Sequence, residues 1–114
     1  MSFEEAIAFA LTLPGTELGT SYGQPAVKVA ANGRAFLFRS HEPDTSFGVA
    51  MDLDSIEMLK ETDRETFWQT PHYVGWEGLL IRYDSNDDER VRDVIGRARD
   101  FTAAKAPARP RKRK

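Results

Sequence analysis

A predicted β-hairpin in residues 25–39 is the feature that most constrains the fold of this chain. Two short runs flank the pair Asn32-Gly33, which suits a type I′ turn because both turn positions need positive φ. A two-residue loop would fix the register and therefore the face of each side chain. Four residues then face the core, namely Val27, Val29, Phe36 and Phe38. The opposite face carries Ala26, Lys28, Ala30, Ala35, Leu37 and Arg39.

The remaining elements predict an α+β fold. A capping box at Ser2 and Glu5 begins a first helix, and Pro14-Gly15 ends it. Strands are expected at residues 46–51 and 78–84, with a helix from Asp52 or Asp54 to about residue 61 between them and a last helix from Asn86. Short connections favour antiparallel pairing, so we expect a two-layer fold with the helices on one face of the sheet.

The composition favours a folded, soluble protein. The chain has 114 residues, of which 40% are hydrophobic, and this suits one domain with a real core. It has no cysteine, which excludes disulfides and thiolate metal sites. Acids stand where a secretory signal needs bases, and no apolar run approaches the ~20 residues of a membrane span. We therefore expect a cytoplasmic protein without a membrane partner.

Basic residues are concentrated at the C-terminus. Residues 105–114 hold six bases and no acid, which leaves 10 bases against 18 acids, a net charge of −8, in residues 1–104. We expect one domain in residues 1–104 and a disordered basic tail in residues 105–114. Such a tail binds polyanions without sequence preference, although a merely solubilising end is the other interpretation. The tail bases singled out are Arg109, Arg111, Lys112, Arg113 and Lys114.

Basic side chains on the outer face of the predicted sheet are the first candidate site. Three bases share that face with no strand acid among them, and a fourth at the hairpin tip would act as a wing. They are Lys28, Arg39, Arg82 and, at the tip, Arg34. A solvated face without a ligand explains the pattern equally well. Leu37 and Leu80 on the same face indicate a third option, a homodimer contact.

Aromatic residues in two segments form the second candidate site. One segment is residues 70–76, Thr-Pro-His-Tyr-Val-Gly-Trp, and the other is residues 22–25, Tyr-Gly-Gln-Pro. Aromatics, a histidine and glycines beside strands can line a ligand pocket or a stacking surface. Ordinary packing explains them as well. The candidate pocket residues are Tyr22, His72, Tyr73 and Trp76.

The chain lacks a recognisable set of catalytic residues. His41 and His72 are far apart in sequence, and neither belongs to a His-Glu-x-x-His motif. No phosphate-binding loop, dinucleotide fingerprint or nucleophile elbow occurs. We therefore expect a protein that is not an enzyme and that binds no metal and no cofactor.

Three ordered motifs resemble the MmcQ/YjbR family. They are Leu-Pro-Gly-Thr-Glu at residues 13–17, Tyr-Gly-Gln-Pro-Ala-Val-Lys-Val at 22–29, and the segment at 70–76. The resemblance covers nearly all of residues 1–104 and implies a secretion-chaperone-like fold with a double-wing DNA-binding role. Lys28, His72 and Tyr73 occupy family-motif positions, whereas Val27 stands where the family usually has an aromatic residue.

These features lead to one favoured hypothesis and two alternatives. The favoured one is a DNA-binding protein that contacts mainly phosphates, weakly and with strong salt dependence, through the sheet face and the tail. The first alternative is a protein-binding adaptor or dimeric chaperone-like module that uses Leu37 and Leu80. The second is a small-ligand pocket around the Thr-Pro-His-Tyr segment.

Overall fold

In the described part of the chain, six strands form one antiparallel sheet. The computed structural model describes residues 1–107 of the chain. The strands lie in the order β1-β2-β3-β4-β6-β5, and each pair of neighbours is antiparallel. Their bounds are Thr16–Ser21 for β1, Gln24–Val29 for β2, Arg34–Arg39 for β3, Ser46–Ala50 for β4, Phe67–Trp68 for β5 and Gly78–Arg82 for β6.

Three helices begin at side-chain caps. They are α1 at Phe3–Ala10, α2 at Leu53–Thr62 and α3 at Asp88–Ala103. Ser2 and Glu5 form the expected capping box of α1, and Asp87 accepts from a backbone N–H of α3. Asp52 caps α2, and its hydrogen bond from Ser55 lowers the pKa of the Asp52 carboxyl. Each helix therefore starts where a side-chain oxygen satisfies an orphan backbone donor.

All three helices contribute to one core on one face of the sheet. The largest buried side chains of that core include Phe36, Phe47, Phe67, Met51, Ile56 and Ile95. The prediction of an α+β fold with an antiparallel sheet is thus confirmed. Within residues 1–107, no helix combines the length and the apolar character that crossing a membrane requires.

Two strands, β1 and β5, are not predicted by the sequence pattern. The residues of β1 read Thr-Glu-Leu-Gly-Thr-Ser, without the apolar alternation that marks a half-buried strand. β1 is an edge strand with one neighbour, so only one of its sides is hydrogen-bonded within the sheet. β5 has two residues, too few for any periodicity.

The turn of the β2–β3 hairpin differs from the prediction. Residues 30–33 connect the strands, and Gly33 has positive φ whereas Asn32 does not. The Asn32 side chain instead donates to the carbonyls of Thr102 and Lys105 and accepts from the Arg34 N–H. The predicted two-residue type I′ loop is therefore wrong, because Asn32 binds the C-terminal segment.

A β-bulge at Phe36 changes which side chains of β3 face the core. Val27 pairs with Leu37, but the next residue, Lys28, pairs with Ala35, so Phe36 is an extra residue. Leu37 consequently faces the core, and Phe38 points to the open side of the sheet. The predicted faces of Leu37 and Phe38 are therefore wrong.

Leu37 and Leu80 cannot form the predicted dimer contact. Leu37 lies under the helices, and Leu80 is covered on the other face of the sheet. Both side chains are fully buried. The exposed aliphatic pair on which the adaptor hypothesis depends does not exist.

The first residues of the predicted tail pack against the domain. Lys105 forms an ion pair with Glu77 at 2.9 Å, and the Ala106 carbonyl accepts from Arg34 Nε at 2.6 Å. Residues 105 and 106 therefore contact the domain, and the division of the chain at residue 105 stays a prediction. The tail bases Arg109, Arg111, Lys112, Arg113 and Lys114 lie outside the described residues.

Gly48 provides a test of the register at the bulge. A methyl group at this position would overlap the ring of Phe38, which lies over the β4 backbone. We expect Gly48→Ala to lower the free energy of unfolding by about 1–3 kcal/mol in urea denaturation. Gly96→Ala is the control, because no atom lies near that helical position and alanine should add about 1 kcal/mol there. Unchanged stability of Gly48→Ala would contradict the outward placement of Phe38.

Candidate functional site

A groove on the sheet face opposite the helices is the candidate site. Its volume is about 400 Å³, and the outer side of β3 contributes to its wall. Among the described residues, none that lines this groove is an acid. Five lining residues carry an aromatic ring, and we call the site the aromatic groove. They are Tyr22, Phe38, His41, Tyr73 and Trp76.

The segment of residues 70–77 is held over the open face by Gln69. The Gln69 amide nitrogen lies 2.7 Å from the Gly78 carbonyl and within 3.4 Å of the Tyr73 and Trp76 carbonyls. Its amide oxygen accepts from Lys60 Nζ of α2 at 2.9 Å. A single side chain thus connects the helix layer to the backbone that presents the groove's aromatic rings.

The aromatic rings contact one another without closing the groove. Trp76 lies 4.8 Å from Tyr73 in an edge-to-face arrangement and 6.0 Å from Phe38, as ring centroids. Glycine at position 78 makes this possible, since the Trp76 ring covers the place of a β-carbon there. Burial raises the pKa of the Tyr73 phenol. Trp76 itself remains half exposed, so one ring is available to a ligand.

Two histidines meet beside the groove, although only His41 lines it. The His41 ring stacks 4.5 Å from Tyr73, and His41 Nε2 shares a 3.0 Å hydrogen bond with Thr70 Oγ1. The His72 ring lies edge-to-face with the His41 ring, with centroids 5.7 Å apart. The sequence prediction included His72 and missed His41 and Phe38. Both missed residues depend on the register of β3, which the bulge alters.

Tyr22 reaches the groove from a strained turn. Ser21 pairs with Gln24, so Tyr22 and Gly23 form a two-residue turn with φ of 52° and 78°. Positive φ at both residues is the type I′ signature, and asparagine and glycine are its usual occupants. An ordinary L-residue in this conformation costs about 1 kcal/mol or more. The Tyr22 side chain is nevertheless fully exposed and packs on nothing that would offset that cost.

Arg39 and Arg82 do not share a basic face. Arg39 lies on the helix side, 5.4 Å from the Phe3 ring centroid, because it is two residues from the inward Leu37. Arg82 is on the open side but stacks 4.3 Å above Trp68. It also borders a separate depression of about 720 Å³ that four acids line, namely Asp63, Glu65, Asp84 and Asp87. The predicted convergence of these bases is wrong.

Lys28 and Arg34 lie nearer to the groove but differ in surroundings. Lys28 is on the open face directly across from Glu17, and its stem runs over Gly19. Arg34 borders a depression of about 310 Å³ that shares Ala35, Phe38 and Trp76 with the aromatic groove. Within residues 1–107, Arg34 forms no ion pair, whereas Lys105 in the same depression is paired with Glu77. Arg34 therefore borders the depression that adjoins the groove, whereas Arg39 is the basic residue in the lining of the groove itself.

Comparison with known proteins gives no match. No protein-family model, no curated protein and no solved structure matches the chain. In the described part of the chain, no group of three or more His, Cys, Asp or Glu side chains could hold a metal ion. The chemistry of the aromatic groove is therefore the basis for a function.

The positive φ of Tyr22 is expected to lower the free energy of unfolding. Replacing the tyrosine with asparagine keeps the turn and relieves the strain, so Tyr22→Asn should raise the free energy of unfolding by about 0.5–1 kcal/mol. Tyr22→Ala is the control, because alanine tolerates positive φ no better than tyrosine and should give no gain. Thermal and urea denaturation check both variants. A loss of stability in Tyr22→Asn would mean that the tyrosine side chain stabilises the fold.

Proposed function

We propose that the chain is a nucleic-acid-binding protein that stacks unpaired bases of a single strand in the aromatic groove. The observation that carries the proposal is the exposure of Tyr22 and Trp76 at a groove without acids. Stacking of a base on an aromatic side chain contributes about 1–3 kcal/mol and tolerates any base. Tyrosine and tryptophan in such positions therefore provide affinity without sequence preference.

Arg34 would contact the phosphates that follow a stacked base. Arg34 borders the depression that adjoins the groove and shares Ala35 and Phe38 with it. One of its N–H groups binds the Ala106 carbonyl, and the other donors of the guanidinium can bind phosphate. The tail bases from Arg109 onward follow Pro107 in the chain and would add salt-dependent affinity that is independent of sequence.

The sequence-based hypothesis places the phosphates of a duplex on a basic sheet face. We propose instead that unpaired bases stack in the aromatic groove. The Arg39 guanidinium lies over Phe3 on the helix side of the sheet although the residue borders the groove, and Arg82 borders an acidic depression, so we assign neither guanidinium a contact in the groove. An acidic domain repels the phosphates of a duplex, but it opposes the stacking of an unpaired base much less. We assign the groove a binding role without a catalytic residue, metal or cofactor.

The family resemblance is consistent with this site. Two of the three resembling motifs, residues 22–29 and 70–76, supply Tyr22, Tyr73 and Trp76 to one groove although they are distant in sequence. Membership of the MmcQ/YjbR family and its secretion-chaperone-like architecture remain proposals. The DNA-binding role that the resemblance implies concerns the same class of ligand, a nucleic acid, that we propose for the groove.

A small planar ligand is the second candidate occupant. The groove's volume of about 400 Å³ lies within the usual range of small-molecule pockets. Polar residues of its lining, such as His41 and the exposed Gln24, could orient a free nucleoside or a similar ring compound. Separate titration of a mononucleotide and of an oligonucleotide distinguishes the two candidates.

Fluorescence anisotropy with labelled oligonucleotides tests the proposal. We expect the full chain to bind a single strand more tightly than its duplex and more tightly than a mononucleotide. Trp76→Ala and Tyr22→Asn should each weaken single-strand binding by roughly 5- to 150-fold, which corresponds to the loss of one stacking contact. Tyr22→Asn is informative because it should weaken binding while it stabilises the fold.

Two controls separate the groove from other causes. Met58→Ala removes a comparably exposed apolar side chain from α2 and should leave the affinity unchanged. Glutamine in place of all five bases in residues 109–114 should reduce the salt dependence but keep the preference for single strands. Equal effects of Trp76→Ala and Met58→Ala, or a preference that disappears with the tail bases, would refute binding in the groove.

A further inference from the structure

The outer edge of β1 is a free hydrogen-bonding surface. β1 has one neighbour in the sheet, and its six residues contain no proline, bulge or lysine that would protect an edge. The opposite edge strand, β5, has only two residues. Leu18 on β1 also leaves 60% of its surface exposed on the helix side of the sheet. Within residues 1–107, the sheet is thus unprotected at the β1 end only.

The hairpin pattern shows which backbone groups face outward. Ala30 N–H donates to the Gly15 carbonyl, and Ser21 pairs with Gln24 across the two-residue turn. Hydrogen-bonded pairs alternate along an antiparallel ladder, so the odd-numbered residues of β1 bond β2. Pro25, which has no N–H, lies opposite an even-numbered residue, as this alternation requires. Thr16, Leu18 and Thr20 therefore direct their N–H and C=O groups toward solvent.

We propose that β1 pairs antiparallel with β1 of a second copy, with Leu18 facing Leu18 across a two-fold axis. Outward groups lie on even-numbered residues, so Leu18 can face an even-numbered residue of the partner but not Gly19. The register centred on Leu18 also pairs Thr16 of each copy with Thr20 of the other copy. Every outward backbone group of the strand is then used, and the two exposed leucines cover each other.

Charge complementarity identifies a second copy as the occupant. In this register Glu17 of one copy lies across from Gly19 of the other, on the open face. The stem of Lys28 crosses that same Gly19, with Cδ and Cε at 3.2 and 3.4 Å from its β-carbon position, and so carries the ammonium toward the edge. Glu17 and Lys28 form no ion pair within the described chain. Two symmetric Glu17–Lys28 pairs between copies would satisfy both.

The expected association is weak. Six strand residues and one leucine per copy bury less surface than the roughly 1,200 Å² of a stable protein interface. Sedimentation velocity should therefore show a concentration-dependent monomer–dimer equilibrium, which high salt weakens. Persistence of a monomer up to millimolar concentration would overturn the proposal.

A charge-exchange experiment tests the register itself. Glu17→Lys and Lys28→Glu should each weaken self-association by roughly tenfold or more, since each places like charges opposite one another. An equimolar mixture of the two variants should form a heterodimer, because both contacts are then between Lys and Glu. Circular dichroism and thermal unfolding of each variant alone confirm that it is folded.

A matched mixture excludes nonspecific attraction. Glu61→Lys makes the same charge change on exposed α2 but keeps Glu17 and Lys28, so it should self-associate as the wild type does, and its heterodimer with Lys28→Glu, which contains one Glu–Glu contact, should be weaker than the heterodimer of the first mixture. Heterodimers of equal strength in both mixtures would show that net charge is responsible and would overturn the β1 register. Dimerisation of Glu17→Lys alone at the wild-type concentration would assign the dimer to another surface.

Discussion

The bulge at Phe36 decides which half of β3 belongs to the core and which to the groove. One extra residue in β3 places Leu37 beneath the helices and turns Phe38 to the open side. A side-chain period of two means that a shift of one residue exchanges the faces of everything beyond it. Arg39 follows Leu37 to the helix side for this reason, and Phe38 becomes a wall of the groove instead of a core residue.

The glycines at positions 48 and 78 are what allow the outward rings to lie flat on the sheet. Phe38 covers Gly48, and Trp76 covers Gly78, each at a place where a β-carbon would overlap the ring. The bulge supplies an outward aromatic residue, and the glycines give it and Trp76 room against the backbone. Gln69 then ties the segment that carries Tyr73 and Trp76 to Lys60 of α2. The groove therefore depends on the same elements that close the core.

Local sequence signals predict the helices well because their causes are local. Capping at Ser2 and at Asp52 acts within three residues, and the structure has both. The α+β class follows from such signals as well. The register of β3 could not be predicted in this way, because Asn32 binds carbonyls some 70 residues away and so does not occupy a tight turn. A hairpin with a two-residue turn does exist, but its turn is Tyr22-Gly23. Tyrosine is not a usual residue of such a turn, so the sequence does not predict it.

The sequence predicts some of the residues of the candidate site, but it does not predict which other side chains line the site with them. Tyr22 and Trp76 stand out as aromatics next to glycine and Tyr73 belongs to the Thr-Pro-His-Tyr segment, and all three line one groove. Phe38 and His41 join them only through the bulge, and no pattern of spacing reports that. The bases stand out by their charge, yet charge does not tell on which side of a sheet a strand residue lies. Arg39 and Arg82 show how one shifted register separates them.

An acidic domain can bind a polyanion only through contacts that do not require a positive surface. The net charge of −8 in residues 1–104 acts on phosphates over about 8 Å at physiological salt, so the local sign matters more than the total. The groove has no acid in its wall and has Arg34 beside it, whereas four acids surround the depression next to Arg82. A proposed two-fold axis at Leu18, perpendicular to the sheet, would place both grooves of a dimer on one continuous face. A single strand could then reach two stacking sites, and effective concentration would strengthen binding without any additional cation.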